Sequence, residues 1–188
     1  LHPKLGAIYR SARQAGIDIA MLTDAVPLTE KRADEIMPHV NIYLQASVNG
    51  GTPLTYAAIH QTDLKDWDRL WKNLAAAVRI KRELKSPCEL GVNLTVLTKR
   101  VLKGNTIIPA NWPEIELLVR RARDTGLDYV SVKPYSQHPY SPESMALYGD
   151  MDYAPMMEEI VSTGEMLKDR YETKEFEVVF RFTRFSEY

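Results

Sequence analysis

Three strand-like segments of this chain alternate polar and apolar residues, although each lies between amphipathic helices. They are Gln45-Ala46-Ser47-Val48-Asn49, Asn93-Leu94-Thr95 and Ser131-Val132-Lys133-Pro134-Tyr135. Helices alternating with strands predict right-handed βαβ units and a parallel sheet. A parallel strand covered on both faces reads as a near-continuous run of Val, Ile and Leu. Polar groups turned into such a core must find partners or cost a few kcal/mol each. Several strands with one polar face therefore predict a sheet with helices on one side and a ligand cavity on the other. The expected fold class is α/β, a partial barrel rather than a flat doubly wound sheet.

Periodicity places the elements. Leu5, Ile8, Ala12 and Ala15 predict a helix from Pro3 to Ala15, followed by a strand from Ile17 to Thr23. Thr29 caps a helix carrying Ala33, Ile36 and Met37. A strand from Ile42 to Val48 is broken by Gly50-Gly51-Thr52-Pro53. A short helix through Ile59 comes next. A longer one, capped by Asp63, carries the stripe Trp67, Leu70, Trp71, Leu74 and Val78, which should pack on the sheet. Leu90 to Leu97 is a strand and Thr98 to Ala110 a loop. Asn111-Trp112-Pro113-Glu114 has the form of a capping box opening a helix to Gly126. A strand from Tyr129 to Tyr135, a polar loop from Ser136 to Gly149, a helix capped by Asp152 and a strand from Phe176 to Phe182 complete the chain.

Strand parity sorts the site. Gln45, Ser47 and Asn49 share one face, as do Asn93 and Thr95, and Ser131, Lys133 and Tyr135. Met21 and Thr23 are placed on this polar face in the first strand, and Arg181 and Thr183 in the last. Barrel chemistry sits at the carboxyl ends of strands, where Thr23-Asp24, Asn49-Gly50-Gly51 and Lys133-Pro134-Tyr135 fall. Lys133 is the sharpest single residue. A lysine within a strand needs a carboxylate, a phosphate or a water-filled cavity, and an ion pair at the barrel end is the plain alternative to a ligand role. The aromatic and polar loop from Tyr135 to Pro142 is placed to touch a substrate, and its His138 is a candidate acid or base. His2, His39 and His60 are scattered and read as surface or structural residues.

Composition excludes several classes. The 188 residues carry 24 basic and 25 acidic side chains, a net charge of -1, which gives no reason to expect nucleic acid or an anionic membrane as partner. No apolar run approaches the roughly 20 residues that span a bilayer. The single cysteine, Cys88, rules out an internal disulfide or a multi-cysteine metal site and fits a cytoplasmic setting. It reads as a small buried thiol. Gly50-Gly51 lacks the spacing of a dinucleotide fingerprint. No His, Asp or Glu group has metal-ligand spacing.

The ordered series of segments resembles the radical S-adenosylmethionine (radical SAM) superfamily. Leu1-His2-Pro3-Lys4-Leu5 before a helix resembles the stretch after that family's Gly-Gly-Glu-Pro motif. Leu22-Thr23-Asp24-Ala25 stands where the family often has Thr-Asn-Gly, and Leu28-Thr29-Glu30 continues it. Ala46-Ser47-Val48-Asn49 resembles its Ser-Leu-Asp strand end. Gly91 to Leu97 and Val130 to Tyr135 resemble its fifth and sixth strands. The resemblance runs from Leu1 to about Tyr135. It implies a partial (β/α)6 barrel of radical SAM type whose first strands are missing here, so that residues 1–188 are expected to be part of a longer chain. It also implies two cofactors, S-adenosylmethionine and a [4Fe-4S] cluster that cleaves it to a 5'-deoxyadenosyl radical. By position, Ser47 and Asn49, next to Gln45, would bind the ribose or methionine part, and Asn93 would assist. Thr23 and Asp24 would border the adenosine, and Lys133 and Tyr135 would lie near cofactor or substrate. Asn49 stands where aspartate is common and Asp24 where asparagine is common. The family's Cys-x3-Cys-x2-Cys ligands are absent and are expected upstream of Leu1. The implied partner is a small-molecule or peptide substrate.

Two other readings remain open on the residues alone. One is a (β/α)-barrel lyase or aldolase that uses Lys133 as a Schiff-base amine. The other is a barrel that binds a ligand without chemistry.

Overall fold

The main sheet runs in the order Met21–Thr23, Tyr43–Ser47, Glu89–Val96, Tyr129–Pro134 and Glu177–Phe180, and every neighbouring pair is parallel. The computed structural model describes residues 1–98, 100–101, 107–135 and 152–185. The strands are β1 (Met21–Thr23), β2 (Tyr43–Ser47), β3 (Glu89–Val96), β6 (Tyr129–Pro134) and β7 (Glu177–Phe180). A separate antiparallel pair, β4 (Arg100–Val101) and β5 (Ile107–Ile108), is inserted between β3 and β6. The helices are α1 (Leu5–Gln14), α2 (Glu30–Ile36), α3 (Pro53–His60), α4 (Lys65–Leu84), α5 (Ile115–Thr125), α6 (Met157–Tyr171) and a last turn, α7 (Phe182–Phe185).

This order explains the two faces. A doubly wound sheet reverses direction at a switch point, which sends helices to both sides. Here each crossover steps the same way. Right-handed crossovers then stack their helices on one face. Leu44, Ala46, Leu90, Val92, Leu94, Val130, Val132, Val178 and Phe180 point to that side and are buried. The opposite face is open. Helices on one side of a five-stranded parallel sheet and a cavity on the other are an α/β arrangement consistent with a partial α/β barrel.

Local chemistry sets the ends of the helices. The Thr29 hydroxyl accepts from the Arg32 N–H, and the Thr52 hydroxyl accepts from the Thr55 N–H ahead of Pro53 in the first turn of α3. Gly126, at φ 84°, ends α5 in the left-handed region where a Cβ would be penalised. The Asp63 carboxylate accepts from the Lys65 N–H at the start of α4. The α4 stripe of Trp67, Leu70, Trp71, Leu74 and Val78 is buried as expected.

Four expectations about elements need correction. The first strand begins at Met21, not Ile17, because Asn41 takes over the ladder: its Oδ1 accepts from the Ile19 N–H at 2.9 Å. Register then pairs Thr23 with Ala46 and Leu22 with Gln45. Thr23 and Met21 therefore lie on the helix side, and Leu22 faces the open side. The last strand stops at Phe180. Arg181 to Phe185 turns so that Phe182 stacks on Phe180 and Phe185 packs edge-on against buried Tyr153. Thr183 thus sits in a helical turn rather than on a strand face. The stretch from Thr98 to Ala110, expected as a loop, holds β4 and β5. No described helix is long and apolar enough to cross a membrane.

Candidate functional site

The open face of the sheet forms a cleft of about 630 Å³. Alternate residues of four strands build it: Tyr43 and Gln45 on β2, Glu89 and Asn93 on β3, Tyr129, Ser131 and Lys133 on β6, Glu177 and Val179 on β7. Arg181 and Arg184 close it at the carboxyl ends. The volume suits a small-molecule ligand. Charge is segregated along the strands. Glu89 and Glu177 open β3 and β7, whereas Lys133, Arg181 and Arg184 lie at the opposite end.

The centre is polar and incompletely satisfied. Asn93 is only 4% exposed. Its Nδ2 donates to the Thr95 hydroxyl at 3.2 Å, while its Oδ1 has no partner among the described residues. Turning the amide over would exchange the two ends and still leave one unpaired. A buried polar atom without a partner costs about 1–3 kcal/mol, which a ligand hydrogen bond would offset. Burial pushes the Tyr129 hydroxyl well above its ordinary pKa, against the opposing effect of the Gln45 side chain. Its ring lies flat over Gly91, the register neighbour, where a Cβ would come within 2.3 Å of the ring. A glycine in β3 thus makes the floor on which Tyr129 rests.

Lys133 is half-buried, and no acidic neighbour pairs with it among the described residues. Burial lowers its pKa, and Arg184 and Arg181 lower it further by repulsion.

Of the eight residues singled out from the sequence, Gln45, Asn93 and Lys133 meet in this cleft. Ser47 pairs in register with Asn93 at the carboxyl end of β2 and faces the same side. The other four lie elsewhere. The Thr23 hydroxyl accepts from the Ala25 N–H on the helix side. Asp24 is exposed beyond β1, close enough to Tyr56 and His60 to raise the pKa of each. Burial is the larger influence on both groups: it pushes Tyr56 up to about 12 and holds His60 below its ordinary value. Tyr135 follows β6 and packs against the core. Its N–H donates to the Tyr153 hydroxyl, which in turn donates to the Val96 carbonyl.

Asn49 serves as a clamp. At φ 55° it leaves β2 in the left-handed region, and its Oδ1 accepts from the Thr95 N–H at 2.8 Å. Fully buried Asn111 continues that clamp. Its Nδ2 donates to the carbonyls of Asn49 and Thr95, and its Oδ1 accepts from the Leu97 N–H. This overturns the capping box expected at Asn111 and Glu114. Asn111 makes no cap hydrogen bond. The Glu114 carboxylate instead accepts from the N–H groups of Gly51 and Thr52 and from the hydroxyls of Thr52 and Thr55. The loop after β2 and the start of α3 are donor-rich, and Glu114 satisfies them across the fold. Gly51 permits the approach, since a Cβ there would stand 2.4 Å from the Glu114 carbonyl oxygen.

Sequence reasoning missed Tyr43, Glu89, Tyr129 and Glu177 as lining residues. Tyr43, Glu89 and Tyr129 have the parity of the residues it did find, two or four positions earlier on the same strand, and Glu177 stands four before Arg181, which follows β7. The loop 136–149, with His138, lies outside the described residues. Cys88 is buried, and burial raises its thiol to about 11, so it stays protonated at neutral pH. Among the described residues no group of three or more His, Cys, Asp or Glu side chains could hold a metal.

No protein-family model matches the chain. No curated protein matches it either. Its fold is similar to that of SuiB from Streptococcus suis, solved bound to S-adenosylmethionine. The TM-score is 0.61 at 13% identity, over 97% of this chain and 36% of SuiB. The chain thus spans about a third of that protein, and the likeness is one of fold. An oxaloacetate acetylhydrolase superposes with a TM-score of 0.29 at 18% identity, covering 75% of this chain and 58% of that one, too poorly to carry an argument.

Proposed function

We propose that this chain forms the S-adenosylmethionine-binding wall of a radical SAM enzyme, a partial (β/α)6 barrel. The unpartnered amide end of Asn93 carries the reading, because it marks a ligand position on the open face of a fold similar to one solved with S-adenosylmethionine. Gln45, Ser47 and Asn93 supply hydrogen-bonding groups for the ribose and methionine parts of the cofactor. Asn49 acts one step back, holding the end of β2 against β3. Asp24 borders the adenosine side at the end of β1. The cytoplasmic setting read from the sequence belongs to the same proposal.

The chain does not fit an iron-sulfur cluster. Its one cysteine is buried and protonated, and three thiolates are needed besides the cofactor. Under this proposal cluster ligation falls to cysteines outside these 188 residues. The test is the complete gene product, reconstituted with iron and sulfide under anaerobic conditions and supplied with a reductant. Formation of 5'-deoxyadenosine is expected. A gene without three clustered cysteines would contradict the proposal.

A second reading is favoured by one observation. Lys133 has a lowered pKa and no carboxylate partner among the described residues, as a Schiff-base amine would require. Borohydride trapping with a carbonyl compound separates the two, since a reduced adduct at Lys133 is expected only of a lyase or aldolase.

A further inference from the structure

Two strands end in cations that no carboxylate among the described residues of the cleft neutralises. Lys133 stands near the end of β6, and Arg181 follows the last residue of the neighbouring β7. The Arg181 N–H donates to the Val132 carbonyl at 3.0 Å, which fixes the two side by side. Arg184, one turn later, lines the same end of the cleft. Among the described residues neither Lys133 nor Arg181 forms an ion pair.

The carboxylates of the cleft are too far away to serve. Glu177 opens β7 and pairs in register with Tyr129, four residues before Lys133. At about 3.3 Å per residue, that separation is roughly 13 Å, beyond a Debye length at physiological salt. Placing like charges together in a half-buried site is unfavourable unless a counter-charge arrives. Residues at the carboxyl ends of barrel strands are also where ligands bind.

We infer that Lys133 and Arg181 form an anion subsite for the substrate, a small molecule bearing a carboxylate or phosphate, on the β6–β7 side of the cleft. The inference rests on reading the cleft as a ligand site and gives that ligand a chemical class. Gln45, Ser47 and Asn93 occupy the β2–β3 side, so the two ligands divide the cleft by strand. Ser131, 6% exposed and in register with Asn93, stands between them.

The probes are L-malate for a carboxylate and glycerol 3-phosphate for a phosphate, with glycerol as the uncharged control. Binding is followed by amide chemical shifts of the protein. At least one anion is expected to bind and to shift residues of β6 and β7, with no effect from glycerol. Lys133→Gln and Arg181→Gln are each expected to weaken that binding about tenfold, and Lys133→Arg to retain it. Which anion binds identifies the group. Failure of both anions, or binding by the two Gln variants as tight as that of the unaltered protein, overturns the subsite. Titrating S-adenosylmethionine into the same variants keeps the two proposals apart. The subsite predicts unchanged affinity for the cofactor, whereas loss of cofactor binding by the unaltered protein would count against the cofactor reading alone.

Discussion

At the scale of single residues, two side chains, Asn111 and Lys133, do work that their types do not announce. Asn111 is 0% exposed and bonds three backbone groups from two segments. Asn111→Ala leaves those groups buried without partners, and the expected cost is about 3 kcal/mol, read from the urea midpoint. A change below about 0.5 kcal/mol would mean that the clamp is dispensable. Lys133 gives a pH signature. Its native pKa lies below the unfolded value of 10.5, so between the two the unfolded chain binds more protons. Stability should therefore gain a contribution as pH rises through the native pKa toward 10.5, a gain absent at lower pH where both states are charged. Comparing urea midpoints at neutral pH and at about pH 10 for the protein and Lys133→Met isolates it. The protein should gain more than the variant. Among the site residues, Gln45, Asn93 and Lys133 were legible because strand parity fixes a face. Asn49 and Asn111 were not, because a polar residue at a strand end or helix start looks the same whether it meets a ligand, caps a helix or bonds a distant carbonyl.

At the scale of elements, the loop after β2 is held from another part of the chain. Glu114 binds four donors of Gly51, Thr52 and Thr55 through one carboxylate. Glu114→Ala should speed hydrogen exchange at the Gly51 and Thr52 amides by more than tenfold and leave the amides of β6 unchanged. Equal rates in the two proteins would show that the loop is held by Thr52 and Pro53 alone. The elements themselves were largely readable, because amphipathic spacing and caps such as Thr29 and Thr52 are local signals. Errors fell where tertiary contacts replaced local ones. Asn41 displaced the start of β1, and aromatic packing of Phe182 and Phe185 bent the chain away from β7. The face of Thr23 followed from the register with β2, which one strand's sequence cannot contain.

At the scale of the whole molecule, one topological fact organises the rest. A parallel sheet that always steps in the same direction covers one face and leaves the other open. The alternation in β2, β3 and β6 is the sequence record of that asymmetry, and the cleft is its consequence. The alternation could not show how the ends of the cleft differ, since Arg181 and Arg184 lie beyond β7 and Glu89 and Glu177 at the first residues of their strands. In the proposed function this polar face binds S-adenosylmethionine through the amide end of Asn93 that has no partner among the described residues. Calorimetric titration of the cofactor into the protein and into Asn93→Leu tests it most directly. Saturable binding by the protein is expected, weakened at least about tenfold, or ~1.4 kcal/mol, in the variant. No binding by the protein, or the same affinity in Asn93→Leu, would contradict it.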